Sequence, residues 1–85
     1  MKRYIPVAAT FTPTGELLPR AFLWDGERIK IDRVVQFRPA AAARLGSHCD
    51  RFTVYIHGQL RLLYFERSGN VFGPQLGRWF VELAA

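Results

Sequence analysis

The stretch from Asp50 to Glu66 constrains the fold more than any other. β-Branched and aromatic residues flank His57-Gly58-Gln59, a pattern that predicts two strands joined by a tight turn. A turn centred on His57-Gly58 or on Gly58-Gln59 leaves the same side-chain parity. Phe52, Val54 and Ile56 then share one face with Leu63 and Phe65, and Thr53 and Tyr55 share the other with Leu62 and Tyr64. Both faces are largely apolar. Such a hairpin needs cover on both sides, from a closing barrel, a second sheet or another subunit.

The rest of the chain is read around that hairpin. Ile5 to Thr12 is expected to form a first strand, with Pro6 marking an edge or a strand start. Thr14-Gly15 is a turn, and Leu17-Leu18-Pro19 a short apolar link into the next strand. Asp25-Gly26 sits between alternating segments and favours a type I′ turn, because both central residues must take positive φ. That register pairs Trp24 with Glu27 and Phe22 with Ile29. Phe22, Trp24, Ile29 and Ile31 then face inward while Arg28, Lys30 and Asp32 face out. The alternation fails at Val34-Val35, and a bulge or bend near Asp32-Arg33 would repair it. Residues 39–45, with Pro39 ahead of four alanines and Gly46 behind, are the one helical candidate, at most two turns long. A long turn-rich segment follows Glu66, and Arg78 to Leu83 reads as a final strand with Trp79, Val81 and Leu83 on one face.

The expected fold is therefore all-β: a small antiparallel meander of five or six strands, curled into an SH3-like or partly open barrel, with at most one short helix near 39–45. Eighty-five residues suit a single small β domain over 1–85. Seven Phe, three Tyr and two Trp in a chain nearly half hydrophobic exclude a disordered protein. No apolar run reaches the roughly 18 residues of a membrane span, so no membrane partner is expected. A lone Cys49 excludes an intrachain disulfide and fits a reducing cytoplasm.

Several segments resemble a group of small bacterial hypothetical proteins: Ile5 to Phe11, Ile29 to Val34, Asp50 to Val54 and Arg78 to Glu82. The resemblance spans nearly the whole chain and implies a shared fold without an activity. Pro19, Phe22, Trp24, Gly26 and Trp79 are also similar to a small bacterial domain associated with Y-family DNA polymerase proteins. That similarity points toward nucleic acid.

The net charge of +5 comes from ten Arg and two Lys against seven acids, spread as +3 over residues 1–50 and +2 over residues 51–85. Arginine suits phosphate recognition through its planar fork, although an Arg-rich surface also arises as plain solvation. The expected nucleic-acid-binding residues are Arg28, Lys30, Arg44, Arg51 and Arg61 with Tyr55 and Tyr64, as a basic, aromatic strand surface. Arg33, Arg38 and Phe80 belong to the same wider pattern. Tyr55 and Tyr64 serve equally well as a second core layer.

No catalytic set is recognisable. His48 and Cys49 are sequence neighbours and point to opposite faces of an extended chain. Asp25, Glu27 and Asp32 have ordinary structural explanations, and neither a metal-ligand spacing nor a phosphate-cradling glycine motif occurs. The chain is expected to be a non-enzymatic module without cofactor or metal, an accessory protein that binds nucleic acid, single-stranded or duplex. The alternative is a protein-interaction or homodimer-forming module that works through sheet edges and apolar faces. One contiguous exposed patch of Arg28, Lys30, Arg44, Arg51 and Arg61 beside Tyr55 and Tyr64 would favour the first, and their dispersal around the molecule would favour plain solvation.

Overall fold

The computed structural model describes residues 1–39, 49–68 and 73–83. These form eight strands: β1 (Lys2–Tyr4), β2 (Val7–Phe11), β3 (Leu17–Trp24), β4 (Glu27–Lys30), β5 (Arg33–Arg38), β6 (Cys49–Ile56), β7 (Gln59–Arg67) and β8 (Gly77–Glu82). All pairings are antiparallel. One sheet runs β1-β8-β7-β6-β5 and the other β2-β3-β4. The fold is all-β, as expected, and the described residues contain no helix. Apart from Pro39, most of the helical candidate at 39–45 lies outside the described residues.

Both tight turns take the backbone that their sequences demand. Asp25 and Gly26 have φ of 51° and 79°, and His57 and Gly58 have 51° and 75°. These signs at both central positions are those of type I′ turns, whose twist matches that of the flanking strands. The registers follow: Trp24 opposes Glu27, Phe22 opposes Ile29, and Ile56 opposes Gln59. The central turn is therefore His57-Gly58.

The sheets do not close into a barrel, and the strand count exceeds the expected five or six. The reason lies at two corners where the chain changes sheet without losing its extended form. At the first, the Ile5 amide donates to the Trp79 carbonyl of the large sheet at 3.0 Å. The next carbonyl, that of Pro6, accepts from the Leu23 amide of the small sheet, also at 3.0 Å. Proline fits this point because it has no N–H to satisfy. At the second corner the Ile31 amide bonds to the Arg20 carbonyl, and the Asp32 amide crosses to Tyr55. At the first corner Ile5 and Val7 keep one apolar parity, whereas at the second the parity changes between Ile31 and Val34.

Two further local expectations are refined. The bend expected near Asp32-Arg33 is the second corner, while the bulge lies at Val35, between the Val34–Val54 and Gln36–Thr53 pairs. Its extra residue resets the parity, so that Val34 and Phe37 face inward while Arg33 and Arg38 both face out. Leu17 to Pro19 belongs to β3 rather than to a link. Pro19 is tolerated in this central strand because a second bulge, opposite Ala8 and Ala9, interrupts the ladder there.

The core fills the space between the sheets. Ile5, Ile31, Phe52, Val54, Leu63 and Phe65 are buried, and Phe22, Trp24, Trp79 and Val81 pack against them. Phe52 and Phe65 each lie about 5 Å, centroid to centroid, from Trp79. Where β5 fails to pair with the small sheet, a cleft of about 900 Å³ opens, with Leu17, Leu18 and Phe37 on its walls. Asp50, 5% exposed, stands at this end and takes a two-pronged bond from Arg67 at 3.0 Å on each oxygen.

Among the described residues the central hairpin is thus covered on one face only. Its other face is the outer surface of the five-stranded sheet, where Leu60 and Leu62 are 53% and 44% exposed. In the single chain nothing in the second sheet reaches it.

Candidate nucleic-acid interface

The outer face is built from rows of side chains that the registers align across strands. One row crosses the whole sheet: Arg38 opposes Arg51, Arg51 opposes Tyr64, Tyr64 opposes Phe80, and Phe80 opposes Tyr4. Two arginines are followed by three aromatic rings. Tyr64 stacks on Phe80 at 5.0 Å with the planes 8° apart, and Tyr4 meets Phe80 edge-on at 5.7 Å. Phe80 is itself buried, covered by its neighbours on an otherwise open surface.

Cations dress the rings of this face. The Lys2 ammonium lies 4.6 Å from the Phe80 centroid, the Arg78 guanidinium 4.1 Å from that of Tyr4, and the Arg33 guanidinium 4.7 Å from that of Tyr55. Such contacts hold rings and charges together while leaving the charge near water.

Charge on this face is uneven. On the β1-β8-β7 side Glu66 gathers the positive groups: Arg78 donates at 2.7 Å, Lys2 at 3.1 Å, and the Tyr4 hydroxyl at 3.1 Å to the nearer oxygen. The bonds from Arg78, Lys2 and Tyr4 pull the Glu66 carboxyl down to about 2, and in return raise Lys2 and Arg78. On the β5-β6 side Arg33, Arg38 and Arg51 have no acidic partner within 4 Å among the described residues. Arg38 and Arg51 are like charges directly opposed across two strands, an arrangement that costs stability. The Arg51 Nε is shielded from water and has no hydrogen-bond acceptor among the described residues.

Glu66 makes an acid-sensitivity prediction. Its folded value lies below the usual 4.5, so its contribution is complete above that pH and is lost as pH falls toward about 2. Thermal melts between pH 5 and 2 should show a smaller acid loss for Glu66→Gln than for the parent chain. Parallel curves would show that the carboxylate is not held as described.

The structure separates the expected site residues into three groups. Arg51, Tyr55 and Tyr64 lie together on the outer face. Arg28 and Lys30 are exposed on β4, in the other sheet, opposite Leu23 and Ala21. Arg61 opposes Val54, so it has the inner parity, and it reaches solvent near the hairpin tip beside Gln59. Arg44 lies outside the described residues. Arg33, Arg38 and Phe80 of the wider pattern do lie on this face, which also gains Lys2, Tyr4 and Arg78. Lys2 and Tyr4 had no sequence signal, because only the β1–β8 pairing brings them there.

The remaining candidates are placed as follows. Cys49 is a free, half-buried thiol opposite Glu66 on the outer face. His48 lies outside the described residues, and His57 occupies its turn. Asp32 has no cationic partner among the described residues; it accepts from the His57 backbone amide at 3.1 Å. Asp25 pairs with Arg3, whose guanidinium lies 3.8 Å from the Trp24 ring centroid. Among the described residues no three His, Cys, Asp or Glu side chains could hold a metal ion, and no helix is long and apolar enough to cross a membrane. Compared with known proteins, the chain matches no family model, no curated protein and no solved structure.

Proposed function

We propose that this chain is a non-enzymatic accessory module that binds nucleic acid on the outer face of its five-stranded sheet. The observation that carries this reading is the opposed pair Arg38 and Arg51, with Arg33 nearby, without an acidic partner within 4 Å among the described residues. A protein that leaves like charges face to face gains stability when an anion arrives between them. The face as a whole bears Lys2, Arg33, Arg38, Arg51 and Arg78 against Glu66 and Glu82, a net positive surface suited to a phosphate backbone. The half-buried free thiol of Cys49 supports a reducing, cytoplasmic setting.

Fluorescence anisotropy with labelled oligonucleotides tests the reading. The double variant Arg38→Ala/Arg51→Ala should bind about tenfold more weakly at low salt. With a single-stranded probe, the slope of log affinity against log salt should also flatten by about 1.4. Arg28→Ala/Lys30→Ala, on the other sheet, should change little. Equal losses from the two double variants would show that charge alone, rather than this face, is responsible.

Leu60 and Leu62 favour a second reading, self-association through the same face, because exposed leucines side by side on a sheet are suited to protein contact. Light scattering separates the two: a monomer over a broad concentration range removes self-association.

A further inference from the structure

The outer face divides lengthwise into two stripes. Arg33 and Arg38 on β5 and Arg51 on β6 form a cationic stripe along one side. Tyr55 on β6 and Leu60, Leu62 and Tyr64 on β7 form an apolar stripe beside it, and the Tyr55–Leu60 and Arg51–Tyr64 pairs fix their alignment. From β5 to β7 is two strand spacings, about 10 Å. One nucleotide bridges that width from its phosphate to the far edge of its base.

We infer that the ligand of this face is a single-stranded nucleic acid lying along β5 and β6, its phosphates on the arginines and its bases on the apolar stripe. The inference rests on the reading above and narrows its ligand. Two physical points decide between single strand and duplex. A duplex keeps its bases stacked inside, so it would leave Leu60 and Leu62 against water and use only the arginines. The sheet is also too broad to read bases in a groove: five strands span about 19 Å, against about 12 Å for the major groove of B-DNA. Unpaired bases, by contrast, offer flat apolar surfaces that pack on tyrosine and leucine alike. The rings are already partly engaged, Tyr55 by Arg33 and Tyr64 by Phe80. Each contributes its remaining face or edge, and the exposed leucines supply much of the open surface.

The test compares three probes of about twelve nucleotides, within the usual site size for single-strand binders. They are a mixed-sequence single strand, the same strand annealed to its complement, and the same backbone with its bases removed. The intact single strand should bind at least about tenfold more tightly than the other two, since stacking contributes that much per base. Leu60→Ser/Leu62→Ser changes exposed residues and leaves the core alone. It should weaken the intact strand about tenfold and leave the baseless strand unchanged, with circular dichroism confirming the fold. Equal affinity for all three probes would overturn the inference while leaving a charge-based nucleic-acid interface in place. No binding to any probe would remove that interface too.

Discussion

Gly77→Ala should be among the most damaging single substitutions in this chain, costing about 3 kcal/mol or more. Gly77 opens β8 opposite Arg67, where two backbones and an aromatic ring come unusually close. A Cβ at this position would overlap the Glu66 carbonyl oxygen, and would sit 2.7 Å from Phe65 Cζ and 3.1 Å from Arg67 Cα. Backbone cannot swing aside as the end of a long side chain can, so β8 would have to move away from β7. Gly26→Ala is the control, because it has positive φ but nothing within 4 Å of its Cβ position. It should cost about 1 kcal/mol. Urea unfolding of both variants checks the argument, and equal losses would show that the close approach at Gly77 is absent.

Phe52→Ala should cost about 3–5 kcal/mol, a large share of the roughly 4–13 kcal/mol that holds a chain of this size together. Phe52 is 2% exposed and touches the rings of Phe37 and Trp79 at centroid distances of 5.0 and 5.3 Å. Its removal leaves a cavity between the sheets that no neighbour can fill without leaving its own contacts. Phe11→Ala, at a position 62% exposed, should change stability by much less. Both variants can be ranked by their urea midpoints at unchanged slope. A Phe52→Ala midpoint close to that of Phe11→Ala would place the core somewhere other than the inner face of the hairpin.

What could be read from the amino acids, and what could not, follows the range of the forces involved. The Asp25-Gly26 register is legible because a two-residue turn with positive φ at both positions leaves few alternatives. The division of residues 52–65 into two faces is legible because parity survives any choice of turn. Pro6 and the lost alternation after Ile31 mark the two corners, but the change of sheet there is not legible, since extended backbone looks the same whichever sheet receives its hydrogen bonds. Arg28 and Lys30 were grouped with Arg51 for that reason: each reads as an outward strand cation, yet the second corner assigns them to different sheets. The cation row itself depends on the Val35 bulge. The doubled valine at 34–35 signals that something must slip, but the position of the slip is set by Phe37 seeking Phe52 across the ladder. Arg78 reaches Glu66 across 12 positions, but Lys2 and Tyr4 join them only because residues more than 60 positions apart become neighbours.

The pairing of β1 with β8 has a kinetic meaning. Lys2 lies beside Glu82, and the Leu83 amide reaches the Met1 carbonyl at 2.8 Å, so this ladder closes a loop of almost the entire chain. The two type I′ hairpins close loops of a few residues and can form early, whereas the entropy of so long a closure must be met by structure already in place. The β1–β8 ladder is therefore expected to lock last. Until it does, the β8 edge stands open, and the Phe80 ring lacks two of the three groups that shield it, Lys2 and Tyr4.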